Sequence, residues 1–175
     1  MLETLYGLVR EVADFPKPGI LFRDITPLLL EATALGDAVE RMVAPFRPDG
    51  VTKVVAVESR GFVLGAPSAL ALSAGLVLVR KPGKLPAATR RESYQLEYGT
   101  DALEMHVDAL GPGDRALLID DVLATGGTAA ATARLVESAG ADLVGLSFLI
   151  ELADLGGRKT VGARRLHAVL KYPRT

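Results

Sequence analysis

The sequence predicts an α/β protein with a mostly parallel central sheet flanked by helices. Three observations carry that prediction. The runs 53–57, 75–79, 115–120 and 143–152 are apolar almost without interruption, which is the pattern of strands covered on both faces. Between them lie segments of helical character, at roughly 34–46, 62–74 and 126–139. Strand–helix–strand alternation then implies parallel pairing through right-handed crossovers. A length of 175 residues fits one domain spanning 1–175 and can bury a core without disulfides or metals. The chain shows no internal repeat, low-complexity tract or linker.

The elements follow in chain order. Residues 1–12 read as an amphipathic helix with Leu2, Leu5, Val9 and Val12 on one face. "DFPKPGILFRDITP" (14–27) holds three prolines and a glycine and reads as an irregular, ordered loop. Pro67 inside the 62–74 segment predicts a kink or a late helix start. The stretch 80–107 interrupts the alternation. Its first half carries Pro82, Gly83 and Pro86 and the five bases Arg80, Lys81, Lys84, Arg90 and Arg91. Its second half reads as two short strands around Gly99–Asp101. Interruptions this long in compact domains are usually functional, so a flexible lid loop is expected over about 82–100. The helix 126–139 sets Ala129, Thr132, Ala133 and Val136 on one face and ends at Gly140, a natural C-cap.

Composition removes several functions. With no cysteine there is no disulfide framework, zinc–thiolate site or cysteine nucleophile. No apolar stretch approaches the ~20 residues of a membrane span, and no charged head precedes a long apolar run near the start. A net charge of −1 argues against nucleic acid or anionic membrane as an electrostatic partner. The absence of Trp argues against a base-stacking platform for single strands. A cytoplasmic protein is expected.

The most informative stretch is "LLIDDVLATGGT" (117–128). An apolar strand ends in two adjacent acids, although repulsion and desolvation oppose that placement. A small, hydroxyl-rich turn and a helix start follow. Amides of Ala124, Thr125, Gly126, Gly127 and Thr128 then converge at the positive end of a helix dipole, a ready anion site. The glycines permit close approach of a phosphate, and Asp120 and Asp121 offer acceptors to a vicinal diol. A sugar phosphate needs both halves. The alternative is a helix cap beside a solvated acid pair.

The string resembles the phosphoribosyl-pyrophosphate signature of the type I phosphoribosyltransferases. "DFPKPGILFRDITPLL", "ESRGF", "RKPGKLP", "SYQLEYG" and "LIEL" are similar, in order and spacing, to successive signatures of the adenine phosphoribosyltransferase family. The matches run from about residue 14 to 152. The resemblance implies a type I phosphoribosyltransferase-like fold, with a small hood from segments near 1–30 and 150–175. It implies a glycosyltransferase (pentosyltransferase) of purine salvage. Such an enzyme converts adenine and phosphoribosyl pyrophosphate to AMP and pyrophosphate, with Mg²⁺, as a homodimer. Magnesium would travel with the diphosphate, held mostly by its oxygens and water, so no dedicated protein metal cage is expected.

Residue by residue, the resemblance implies that Asp120 and Asp121 contact the ribose hydroxyls and that residues 124–128 bind the 5-phosphate. Ser59 and Arg60, at a strand's C-terminal end where α/β sheets bind ligands, meet pyrophosphate, and a cis Glu58–Ser59 bond is expected. Arg60 in a surface ion pair is the plainer alternative. Lys81 and Lys84 match the family's basic stretch and would close over the diphosphate; a charge run is otherwise a solvated loop. Arg90 and Arg91 match nothing and are read as solvated. Glu97 is the expected general acid–base and, with Arg60, the catalytic residue; the alternative is an outward strand glutamate. Phe22 and Leu152 would sandwich the base while main-chain groups of Leu21 and Arg23 read its edge, or these apolar residues are ordinary core.

Other motifs are set aside. "GPGDRA" (111–116) precedes a strand instead of following one, and "PGKL" lacks the flanking residues of a P-loop. His106 and His167 are isolated. Two rival functions remain at this point. One is transfer to another purine, namely xanthine, hypoxanthine or guanine. The other is a non-catalytic regulator sensing phosphoribosyl pyrophosphate or nucleotide, although the chain carries neither an added DNA-binding segment nor a basic face.

Overall fold

A computed structural model describes residues 2–95 and 99–173 of the chain. In order, the elements are α1 (Leu2–Gly7), β1 (Arg10–Ala13), β2 (Leu21–Asp24), α2 (Thr26–Leu30), α3 (Ala32–Val43), β3 (Lys53–Val57), α4 (Arg60–Leu72) and β4 (Gly75–Val79). Then come β5 (Thr89–Gln95), β6 (Thr100–His106), β7 (Arg115–Leu123), α5 (Gly127–Ser138), β8 (Asp142–Leu152), α6 (Gly157–Val161) and β9 (Leu166–Tyr172). Five strands form the central sheet in the order β4-β3-β7-β8-β9, and every pairing in it is parallel. The sense in which successive strands are added reverses between β3 and β7, which places a ligand crevice at their carboxyl ends.

Each sheet face is covered. Leu64 of α4, Met42 of α3 and Phe46 pack with Leu117 and Ile119 in one apolar cluster. Leu135 and Val136 of α5 pack with Val55, Val77 and the hairpin residues Leu103 and Met105 in another. Burial on both faces explains why these strands read as continuous apolar runs. The buried polar residues of β8 are partnered: the Ser147 hydroxyl donates to the Met42 carbonyl at 2.8 Å, and Glu151 accepts from Arg158 at 2.6 and 2.8 Å.

Four expectations need correction. The first helix ends at Gly7, and Arg10–Ala13 is a strand. Leu5 and Val9 do reach the core, but Val12 pairs opposite Phe22 across an antiparallel ladder. The 14–27 stretch contains β2 and the start of α2 rather than only loop. Its prolines fall where they are tolerated: Pro16 follows a cis bond, and Pro27 occupies the first turn of α2, where its missing N–H costs nothing. Asp24 starts that helix, accepting from the Thr26 amide at 2.9 Å and its hydroxyl at 2.8 Å. These bonds hold the Asp24 carboxyl below its usual range. The helix α4 begins at Arg60 despite Pro67, which lies within it.

The fourth correction concerns the interruption. β5 begins at Thr89 and pairs with β6 over seven positions, so Arg90 and Arg91 stand exposed on a strand. The preceding loop is tied to this hairpin. Arg80 and Glu104 exchange main-chain bonds of 2.9 and 2.7 Å, and the Gly83 amide donates to Glu104 Oε2 at 3.0 Å.

Candidate active site

Strand β7 runs past the point where the acids were expected to end it. Val122 and Leu123 still pair with Ile150 and Glu151 of β8. The acids are therefore rim residues of the sheet, on opposite faces by strand alternation. Asp121 is buried and Asp120 partly so. The chain then turns through Gly126, at φ +83°, into α5. A side chain at Gly126 has no room: its Cβ would lie 2.7 Å from the Gly157 carbonyl oxygen. A Cβ on Gly157 would lie 2.4 Å from the Ala124 carbonyl oxygen. The turn 124–127 is thus clamped against the start of α6, with its amides at the N-terminal end of a twelve-residue helix.

The second rim turn follows β3. The Glu58–Ser59 bond is cis, matching the expectation, and α4 starts directly after it. Gly61 brings that helix against the acid pair; its Cβ would sit 2.7 Å from Asp120 Oδ1. Arg60 Nε donates to Asp121 Oδ2, and its guanidinium lies 5.2 Å from the centre of the Phe22 ring. The Asp121 amide donates to Asp120 Oδ1 at 2.9 Å. Burial, then the Asp121 charge, push the Asp120 carboxyl well above its ordinary value, more than Arg60 offsets.

A cleft of about 520 Å³ opens between these turns and β2. It is lined by Leu21, Phe22 and Arg23, by Ser59 and Arg60, by Asp120 and Asp121, by 124–128, and by Leu152. The structure therefore brings together, in one place, residues drawn from four separated segments. It also adds Val122, Ala129 and Phe148. Their signal was present: Phe148 and Leu152 share parity on β8, and Val122 shares it with Asp120.

The lysines stand apart from the cleft lining. Lys81 Nζ is held by Asp101 and by the Tyr94 hydroxyl at 3.2 Å. That hydroxyl lies 3.3 Å from Thr128 Oγ1, tying the hairpin to the start of α5. Lys84 Nζ meets Glu58 Oε1 at 2.5 Å, and Arg80 Nε meets Oε2 at 2.7 Å. Burial pushes the Glu58 carboxyl up, but Lys84 and Arg80 outweigh it and hold it below its usual value. Glu58 lines the cleft, so its two cations stand one carboxylate away. Glu58, Tyr94 and Asp101 were not singled out from sequence, because a counterion shows itself only once the loop is folded back. Glu97 lies outside the described residues.

An adjacent acid pair, a glycine turn at a helix N-terminus and a flanking aromatic thus meet at the carboxyl edge of a parallel sheet, the arrangement expected of a phosphoribosyltransferase-type fold. The phosphoribosyl transferase domain family matches residues 29–167. The adenine phosphoribosyltransferase of Anaeromyxobacter dehalogenans (strain 2CP-C) is 51% identical over 172 residues, covering 98% of this chain and all of the relative. The crystal structure of adenine phosphoribosyltransferase from Rhodothermus marinus superposes with a TM-score of 0.94 at 57% identity, covering 98% of both chains. That from Saccharomyces cerevisiae, complexed with D-2,5-dideoxy-2,5-imino-altritol 1,6-bisphosphate and adenine, gives 0.92 at 34% identity, covering 97% of this chain and 98% of that one. This chain belongs to the adenine phosphoribosyltransferase family.

Proposed function

We propose that the cleft binds phosphoribosyl pyrophosphate and adenine and transfers the phosphoribosyl group to give AMP and pyrophosphate, a step of purine salvage in the cytoplasm. The observation that carries this reading is the junction of Asp120, Asp121 and the 124–128 turn with Phe22 and Leu152 around one cleft. The 5-phosphate sits on the amides of 124–128, where the α5 dipole favours its charge. The ribose hydroxyls donate to Asp120 and Asp121. The bond from the anomeric carbon to the diphosphate oxygen breaks as the carbon–nitrogen bond to adenine forms. Ser59 and Arg60 face the departing diphosphate, and Lys81 and Lys84 reach it by exchanging Asp101 and Glu58 for its oxygens. Glu97 takes the purine proton.

Among the described residues no three metal-ligating side chains gather at one place. The donor set near the ribose is two carboxylates, one already engaged by Arg60. Magnesium bound to the diphosphate would neutralise charge on the leaving group. Among the described residues no helix is long and apolar enough to cross a membrane.

The reading is tested by supplying phosphoribosyl pyrophosphate and Mg²⁺ with adenine, hypoxanthine, guanine and xanthine in parallel. AMP should form in strong preference, with matching pyrophosphate release; IMP, GMP or XMP would overturn the base assignment. Glu97→Gln should lower kcat about 10²-fold if the carboxylate moves the proton. Near-normal turnover would remove it from the mechanism.

A homodimer belongs to the same reading. Val63 and Leu70 on α4, with Leu76 and Leu78 on the edge strand β4, form an exposed apolar face, and Leu70 is 82% exposed. Apolar patches of this kind mark interaction surfaces. Leu70→Glu should halve the mass seen by light scattering while leaving the monomer folded, since the side chain packs on little of its own chain.

A further inference from the structure

The base-side strand β2 belongs to a two-stranded ladder separate from the central sheet. Such a hairpin holds its place only by docking on something else. Along β2 the side chains alternate. Phe22 lies near Arg60, while the Arg23 side chain turns away and is only 5% exposed. Its charge meets Glu11, its register partner on β1. Its guanidinium lies 4.2 Å from the centre of the Tyr172 ring.

Tyr172 is the last residue of β9 and pairs with Leu152, a cleft residue. Its ring is braced by Tyr6, edge-on at 5.3 Å. Tyr6 is fixed in turn by its hydroxyl, which accepts from the Lys171 amide at 2.9 Å and donates to the Lys171 carbonyl at 3.2 Å. The Tyr172 hydroxyl is buried and has no partner among the described residues. The ring, then, is what this position supplies.

We infer that Tyr172 is a positioning residue for the base: its ring, holding the Arg23 guanidinium over the end of β9, sets where the β2 main chain stands relative to Leu152. A desolvated cation–ring contact of this kind is strong enough to fix a marginal hairpin. The roles proposed for β2 are on the base side, so base affinity is what should change most, with phosphoribosyl pyrophosphate binding changed little. The inference rests on the proposed base role of Leu21–Arg23.

The test is steady-state kinetics on the full chain with both substrates varied. Tyr172→Leu should raise KM for adenine about tenfold, with kcat and KM for phosphoribosyl pyrophosphate within about twofold of the unaltered protein. Tyr172→Phe should restore the original KM, because the hydroxyl has no partner to lose. Glu11→Gln, on an exposed side chain, should move KM for adenine the same way by about threefold and decides the matter if Tyr172→Leu does not fold. A parallel rise in both KM values, or a Phe variant as impaired as the Leu variant, overturns the inference. Phe22→Ala separates the two levels. If it leaves KM for adenine unchanged, the base subsite itself is misplaced. If it raises that KM while Tyr172→Leu does not, only the positioning role fails.

Discussion

Asp121→Asn is expected to lower kcat/KM for phosphoribosyl pyrophosphate on the order of 10³-fold, with the isolated protein still folded. Two losses combine. The first is a charged acceptor for a ribose hydroxyl, and hydrogen bonds to charged groups contribute about 1.5–3 kcal/mol each. The second is Arg60, whose Nε bonds to Asp121 Oδ2; a neutral amide holds a guanidinium less firmly. Together about 4 kcal/mol is at stake, and each factor of ten corresponds to about 1.36 kcal/mol. The measurement is initial rate against phosphoribosyl pyrophosphate at saturating adenine. A drop under tenfold would mean that the diol does not rest on this acid.

Asp120→Asn supplies the contrast. Asp120 has a raised carboxyl in the folded chain, chiefly from burial and then from the neighbouring Asp121. An acid raised on folding binds protons more readily in the native state. Its ionisation therefore removes stability as pH rises from the ordinary carboxylate range through the raised value. The free protein carries that cost at any pH above the ordinary carboxylate range. Asp120→Asn should raise Tm at neutral pH while weakening phosphoribosyl pyrophosphate, because the ligand donates best to the ionised acid. The two acids thus differ: one is held by Arg60, while burial and its neighbour make the other a costly anion in the free protein. The opposition of stability and binding at one residue is the signature of a group kept for its ligand.

Much of this was legible in the residues. The four apolar runs became four of the sheet's five strands, because a strand covered on both faces leaves no polar alternation to misread; the edge strand β9 (Leu166–Tyr172) was not among them. The 117–128 stretch reads as strand, glycine turn and helix start, and the structure has them in that order, although the strand runs on past the acids to Leu123. What the sequence hid was tertiary. The 1–12 segment has a helical stripe, yet Val12 serves a ladder with Phe22, because the edge bonds of β2 outweigh a weak local preference. Pro67 predicts a kink or a late helix start, but α4 already begins at Arg60, well before it. Lys81 and Lys84 matched a basic motif, yet their partners Asp101 and Glu58 lie 20 and 26 positions away. Arg23 was expected to serve through its main chain alone; nothing local shows that its side chain meets Tyr172 at the far end of the chain.

Gly126→Ala carries the second large expected effect, a fall of about 10²–10³ in kcat/KM for phosphoribosyl pyrophosphate, because misplacing a binding loop by ~1 Å costs about that much. The substitution meets two obstacles. At φ +83° an L side chain costs roughly 1–2 kcal/mol. Its methyl would also stand 2.7 Å from the Gly157 carbonyl oxygen and 3.0 Å from Gly157 Cα, both main-chain atoms that cannot swing aside. The turn must move, and the amides proposed for the 5-phosphate move with it. Gly156 isolates the two contributions. It has φ +73° but open space where a Cβ would go. Gly156→Ala should therefore show only the conformational cost, lowering Tm by about 2–8 °C with KM for phosphoribosyl pyrophosphate unchanged. If both alanine variants affected KM equally, backbone strain alone would account for the loss. If only Gly126→Ala did, the contact between the phosphate turn and α6 is what keeps the anion site in shape.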